Sequence, residues 1–195
     1  VPAITEAIAA NPPLPPERIL ELQFWLGVAN FQIKEGAAAR EALEKFLTMA
    51  DEGRAKNPLF KKQNPISAHT QEARLLAAST WLIEGKNREA ADHFSKIMLL
   101  LEKEDRGRAV IYELYALQEC ADDEAALQVV NAEYPHMDSI PQIISFQMLI
   151  FQLGDRFLER GEFRKAIQCL QKVWPRERLL KHQEERLELW EQKLK

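Results

Sequence analysis

Glycine is scarce in this chain, with seven in 195 residues, against the usual share of about 7%. Phosphate-cradling loops and all-β folds use glycine freely, so both start at a disadvantage. There are two cysteines, Cys120 and Cys169, too few for a disulfide framework. Both fall in helical patterns. A small buried hydrophobe is the ordinary reading of each, and a redox or catalytic thiol is the other. No positive excess exists: 26 Lys and Arg face 30 Asp and Glu, for a net charge of −4. That argues against a generic binder of nucleic-acid backbone. No apolar run approaches the roughly 18 residues that a membrane span needs.

Period-2 alternation with β-branched residues is missing too. Helical periodicity fills the segments between the Pro and Gly breaks instead. Ile19, Leu20, Leu22, Phe24, Leu26, Val28, Phe31 and Ile33 form one apolar run after Pro15-Pro16, where a first-turn proline is tolerated. Ala42, Leu43, Phe46, Leu47 and Ala50 recur at 3–4 spacing and predict a helix over 38–51. Gly53–Pro65 reads as a basic loop with two prolines, and Ser67 or Thr70 as the cap of the next helix. Further helices are predicted over about 68–84, 87–103, 106–119, 122–133, 139–160, 163–174 and 177–194. The breaks between them include Asp105–Gly107 and Tyr134-Pro135. The chain reads as all-α, with nine or ten helices. It opens Val1-Pro2 with no methionine, and the apolar stretch Ala3–Ala10 halts at Asn11-Pro12-Pro13. That pattern predicts a segment of a longer protein, or one whose leader has been removed.

Familiar catalytic and metal-binding motifs are missing from the sequence. His69, His93, His136 and His182 have no partner at ligand spacing, and HExxH, CxxC, GxSxG, P-loop and GxGxxG patterns are absent. No catalytic, cofactor-binding or metal-binding residue is therefore predicted, and no cofactor. His93 reads as a semi-exposed surface histidine. Asp122-Asp123-Glu124 reads as a helix start, through capping and the helix dipole. The basic stretch Arg54, Lys56, Lys61 and Lys62 around Phe60 reads as a solvated loop, with partner contact as the alternative.

Self-similarity is the strongest signal. Ala77, Ala78, Trp81, Leu82, Gly85, Glu89, Ala90, Phe94 and Ile97 match Leu153, Gly154, Phe157, Leu158, Gly161, Lys165, Ala166, Leu170 and Val173 at identical offsets. Two looser matches are Leu26-Gly27, Phe31, Gly36, Ala42 and Phe46, and then Ile111-Tyr112, Tyr115, Ala125, Val129 and Ala132. In the last, Cys120–Asp123 replaces the turn glycine. This unit resembles the tetratricopeptide (TPR) repeat, over roughly residues 19–175. The unit ending Tyr134-Pro135 resembles the variant repeats of bacterial envelope-assembly and lipoprotein-associated proteins.

The resemblance implies a right-handed α-solenoid of stacked helix–turn–helix repeats. Residues 1–16 form a lead-in, and 17–52, 67–104, 105–138 and 139–175 form four units. Residues 53–66 are an insertion loop, and 176–195 a capping helix. In each unit a small residue, such as Ala78 or Gly154, lets the two helices approach closely. Gly36, Gly85 and Gly161 end the first helices. The first helices would line a concave groove holding a protein or peptide partner. Its groove positions are Phe24, Val28 and Phe31; Glu72, Leu75, Ser79 and Leu82; Arg106, Ala109, Glu113 and Ala116; and Met148, Phe151, Asp155 and Leu158. The Lys and Asn that grip a terminal carboxylate in chaperone-binding members are replaced by Leu75, Ser79, Phe151 and Asp155. An apolar or basic partner segment is expected, with no nucleic acid and no membrane span. The reading is a non-enzymatic interaction scaffold, the compartment left open between cytoplasm and envelope. The alternatives are a self-association module, using Leu180, Leu187 and Leu194 at seven-residue spacing or an uncapped N-terminal end, or a structural spacer; an enzyme on a solenoid comes third.

Overall fold

The computed structural model describes residues 1–10, 14–56, 66–137, 143–173 and 181–193. Among them lie ten α-helices and no strand. These are α1 (Pro2–Ile8), α2 (Pro16–Gln32), α3 (Gly36–Lys56), α4 (Ile66–Ile83), α5 (Asn87–Ile97), α6 (Lys103–Glu119), α7 (Asp123–Met137), α8 (Ile143–Glu159), α9 (Phe163–Leu170) and α10 (Lys181–Lys193). A short 3-10 turn, Met98–Leu100, follows α5. The chain divides into two compact units, Val1–Ala109 and Val110–Lys195.

Several expected boundaries move. The helix that begins at Gly36 does not stop near residue 51. It continues through Gly53 to Lys56, so the first residues of the expected loop are helical. The rest of that loop, 57–65, lies outside the described residues, and so do Pro175 and the start of the final helix. The helix expected over 87–103 ends at Ile97, and the 3-10 turn absorbs Met98–Leu100. Asp105–Gly107 is no break. Glu104 and Asp105 sit in the first turn of α6, where carboxylates favour the helix dipole, and Gly107 is buried. Tyr134-Pro135 does not break α7 either, because Pro135 falls inside its final turns. Thr70 does not stand at the start of its helix: α4 begins at Ile66, and Thr70 is buried one turn inside it.

In the first unit α2 starts as the sequence suggests, with Pro16 in the first turn and Glu17 beside it. Its buried residues Leu20, Gln23, Phe24, Gly27 and Asn30 form a single stripe. Helix α2 packs on α3 and α4, and α4 packs on α5. Leu20, Phe24, Leu43, Phe46, Ala50 and Ala73 make one apolar cluster, with Val28, Leu47, Met49, Leu76 and Ala77 against it. Each large side chain removed from water there contributes about 1.5–3 kcal/mol. In the second unit α8 packs on α7 and α9. Helix α8 buries nine residues, among them Phe146, Ile150, Leu153 and Phe157.

Four hairpins share one turn. Lys34, Gly85, Ala121 and Gly161 all have positive φ, at 62°, 69°, 58° and 72°. Each donates its N–H to the carbonyl three residues back, on Phe31, Leu82, Gln118 and Leu158. The next residue donates five back, to Asn30, Trp81, Leu117 and Phe157. This pair of bonds satisfies the orphan carbonyls at a helix end. The residue after the turn then accepts from Ala39, Ala90, Ala126 and Ala166, all fully buried.

That geometry re-registers two units. In the first hairpin the left-handed residue is Lys34, not Gly36, which is the first residue of α3. The equivalent alanine is Ala39 rather than Ala42. In the third hairpin the turn residue is Ala121, which shifts the first-helix positions by two and the second-helix alanine by one. Ala126 replaces Ala125, and Glu113 becomes the equivalent of Leu153. Glu113 is 6% exposed, as that equivalence requires, so it is not a groove position. Arg106, Ala109 and Ala116 move with it, and Ala109 and Ala116 are buried. The positions that replace these four are Arg108, Ile111, Tyr115 and Gln118.

Candidate functional site

The expected groove residues divide sharply by exposure. Phe24, Leu75, Phe151 and Leu158 are buried and hold the helices together. Val28, Phe31, Ser79, Leu82 and Asp155 are half-buried, and Glu72 and Met148 are exposed. Phe24 stacks on His69 across α2 and α4, with ring centroids 4.3 Å apart. The Ser79 hydroxyl donates back to the Leu75 carbonyl at 2.8 Å, so it is occupied by its own helix.

In the second unit, α6 and α8 lie side by side. The buried Gln118 amide donates to the Leu149 carbonyl at 3.1 Å. One turn earlier on α6, Tyr115 is 45% exposed, and Met148 on α8 is 51% exposed. Ile144, one turn before Met148, is exposed as well. In the corrected register Tyr115 takes the place of Ser79 and Asp155, whereas the sequence match set it level with the aromatics Trp81 and Phe157.

The far end of the same α8 face is covered by the chain itself. Trp190 of α10 donates its indole N–H to Asp155 at 2.6 Å and packs on Phe151 with centroids 5.3 Å apart. Arg186 pairs with the other Asp155 oxygen. The expected role of Gly154 changes accordingly. A Cβ there would fall within 2.7 Å of Trp190 Cζ2, so the glycine admits the final helix rather than its hairpin partner. Gly27 keeps the expected role: its Cβ would meet Leu43 of the paired helix, 2.6 Å from Cδ2. The four positions where chaperone-binding repeats carry a carboxylate clamp thus hold two buried apolar residues, a self-bonded serine and an ion-paired aspartate. Leu187 of the proposed seven-residue seam is buried, while Leu180 and Leu194 lie outside the described residues.

Each unit contains one junction between hairpins, built at matching positions. In the first, Gly36 opens α3 against α4, where a Cβ would lie 3.0 Å from Glu84 Cγ and 3.1 Å from the Thr80 carbonyl. Arg40 reaches across to Thr80 at 2.9 Å and Glu84 at 2.8 Å. Its guanidinium lies 3.7 Å over the Trp81 ring, whose indole stacks on His93 at 5.3 Å. His93 is half-buried, in keeping with the semi-exposed position expected of it, with its ring packed on that indole. Lys86 and Arg40 hold the Glu84 carboxyl below its usual range.

In the second unit Asp123 stands where Gly36 stands, two residues after the turn. It takes Arg156 at 3.2 Å and Arg160 at 2.5 Å, the equivalents of Thr80 and Glu84. Asp123 is almost fully buried, and its hydrogen bond with Arg160 raises that guanidinium's pKa. Asp122 caps α7 as expected, accepting from the Ala125 N–H at 3.1 Å. The sequence reading found the cap and missed the junction; the signal was an acid two residues past a turn, with arginines at matching positions one hairpin on.

No grouping of His, Cys, Asp or Glu among the described residues could hold a metal ion. None of the described helices is long and apolar enough to cross a membrane. A cleft of about 430 Å³ opens between α1, α2 and α3 in the first unit. No family model, curated protein or solved structure matches the chain.

Proposed function

We propose that this chain is a non-enzymatic interaction scaffold of TPR-like hairpins, stacked as a right-handed superhelix, that holds an apolar or basic segment of a protein partner against its first helices. The observation that carries the reading is the junction that recurs in both units at matching positions, Gly36 on Thr80 and Glu84, and Asp123 on Arg156 and Arg160. Hairpins stacked by one repeated contact present the same face of every first helix. On that face Tyr115, Ile144 and Met148 keep large apolar side chains in water. Aromatic residues and Met are enriched where proteins meet partners. Self-association through the seven-residue seam has less to work with, because Leu187 is already packed inside.

The test uses exposed positions, since substituting Leu75 or Phe151 would measure folding. Tyr115→Glu/Met148→Glu is compared with wild type and with Phe163→Glu, an exposed residue on the second helix of its hairpin. Cross-linked partners recovered by wild type and Phe163→Glu but lost by the double variant support the reading. Equal recovery by all three refutes it.

A further inference from the structure

The repeat makes one departure visible. Gln23, Leu26 and Asn30 of the first hairpin occupy the positions of Arg74, Ala77 and Trp81 in the second, and of Ile150, Leu153 and Phe157 in the fourth. Where those hairpins hold an aromatic ring, the first holds an amide. Trp81 is covered by Arg40 of the preceding hairpin. Among the described residues, the corresponding face of the first hairpin meets α1, a seven-residue helix that buries none of its own residues. The result is the 430 Å³ cleft, within the range of ligand sites.

Gln23 is 3% exposed and Asn30 is 6% exposed. Both line the cleft. Among the described residues, neither side chain has a hydrogen-bond partner. Neither amide is sealed in by protein, as the enclosed orphan atoms of Glu113, Gln118 and Glu133 are, so both present free donors and acceptors to whatever enters the cleft. The lining is otherwise mainly apolar: Leu26 and Ala42, with Ala38 at the rim, and Val1, Thr5, Ile8 and Ala9 from the side of α1. Glu41 and Lys45, one turn apart on α3, oppose each other in charge, so α3 brings no net charge to the cleft.

We propose that this cleft binds an extended, uncharged apolar peptide segment through its backbone. The two amides are seven residues apart on α2, which places them about 10.5 Å apart along the axis. In an extended chain the N–H of one residue and the carbonyl of the residue two further on face the same edge. They lie about 9 Å apart, a span that the flexible Gln23 side chain closes. Each primary amide both donates and accepts, so the pair engages one N–H and one carbonyl in either direction. A helical ligand has its backbone groups already bonded and would leave both amides unpaired. This site is separate from the first-helix face and does not depend on the function proposed above.

The test follows the side-chain amide resonances of Gln23 and Asn30 in the labelled full chain. The probe is a pool of acetyl- and amide-capped pentapeptides of Ala, Val, Leu and Phe in random order. A second pool is identical but N-methylated at every peptide bond. The first pool should shift both resonances, and the second should not. Gln23→Leu/Asn30→Leu should leave the melting temperature near that of wild type, since neither amide bonds another described group, yet weaken binding at least tenfold. Ala38→Phe, made at an exposed rim position, should block the cleft without touching the core. Unmoved resonances at about 1 mM peptide, the weak end of recognition, would overturn the proposal. So would equal binding of the N-methylated pool, or full binding by both variants.

Discussion

Gly154→Ala puts the closest approach in the second unit to a direct measurement. The added methyl would fall within 2.7 Å of Trp190 Cζ2 and 2.8 Å of Cζ3, where ordinary carbon contacts begin near 3.5 Å. The indole cannot slide away. Its N–H is fixed to Asp155 at 2.6 Å, and its ring rests on Phe151. The methyl must therefore displace Trp190, the largest fully buried side chain among those described. Emptying such a pocket costs about 3–5 kcal/mol. Replacing a mid-helix glycine by alanine returns about 1 kcal/mol of helix propensity. The net loss should be about 2–4 kcal/mol in urea denaturation, with amides of Lys181–Lys193 losing protection from hydrogen exchange. The rescue is specific. In a Trp190→Leu background the clash is gone, so Gly154→Ala should be neutral or stabilise by up to about 1 kcal/mol. A loss below about 1 kcal/mol in the wild-type background, with α10 still protected, would refute the packing described here.

Two further outcomes concern the turns and the buried thiol. A Cβ on Gly85 or Gly161 meets nothing within 4 Å, so Gly85→Ala and Gly161→Ala should each lose about 1–2 kcal/mol from backbone strain alone. Lys34→Gly and Ala121→Gly should each gain up to about 1 kcal/mol, read as urea midpoints. Burial, with a smaller contribution from Asp123, pushes the Cys169 thiol up to about 12. Folded chain should therefore expose only Cys120 to a thiol reagent at neutral pH, since the thiolate is the nucleophile. The unfolded chain ionises Cys169 near pH 8.5 while the folded chain does not. Stability should then fall as pH rises from about 8.5 toward 12, by at most about 1.4 kcal/mol per unit, and Cys169→Ala should flatten that slope.

The second and fourth hairpins were legible because a glycine marks each turn. Gly85 and Gly161 sit at the one backbone position where glycine has an advantage, and every neighbouring offset follows. The first and third hairpins use Lys34 and Ala121 at the same φ, and composition does not reveal a left-handed alanine. Gly36, two residues on, drew attention for a different reason: it yields space to Glu84. Glu113 was misplaced by the same two-residue slip, and Tyr115 was hidden by it. Asp105–Gly107 looked like a break because a charge cluster beside a glycine marks both loops and helix starts. The burial of Phe24, Leu75 and Phe151 was unreadable from a groove template, since a template gives direction and not depth. The cleft amides were invisible for a simpler reason: Gln and Asn within a helix look solvated until a structure shows them buried.

The two junctions have opposite polarity. In the first unit the basic residue, Arg40, belongs to the earlier hairpin and the acid, Glu84, to the later one. In the second unit the acid, Asp123, is on the earlier hairpin and the bases, Arg156 and Arg160, are on the later. Hairpins with one fold are therefore not exchangeable parts. Placing the second hairpin behind the third would set Glu84 beside Asp123, two carboxylates sharing a buried seam, and like charges so placed disfavour contact by the same mechanism that rejects wrong partners between proteins. Placing the fourth behind the first would bring Arg160 toward Arg40. The order of the hairpins is written into these pairs, and a chain that joined these particular hairpins in either exchanged order would meet repulsion at the point where the correct chain finds its ion pairs.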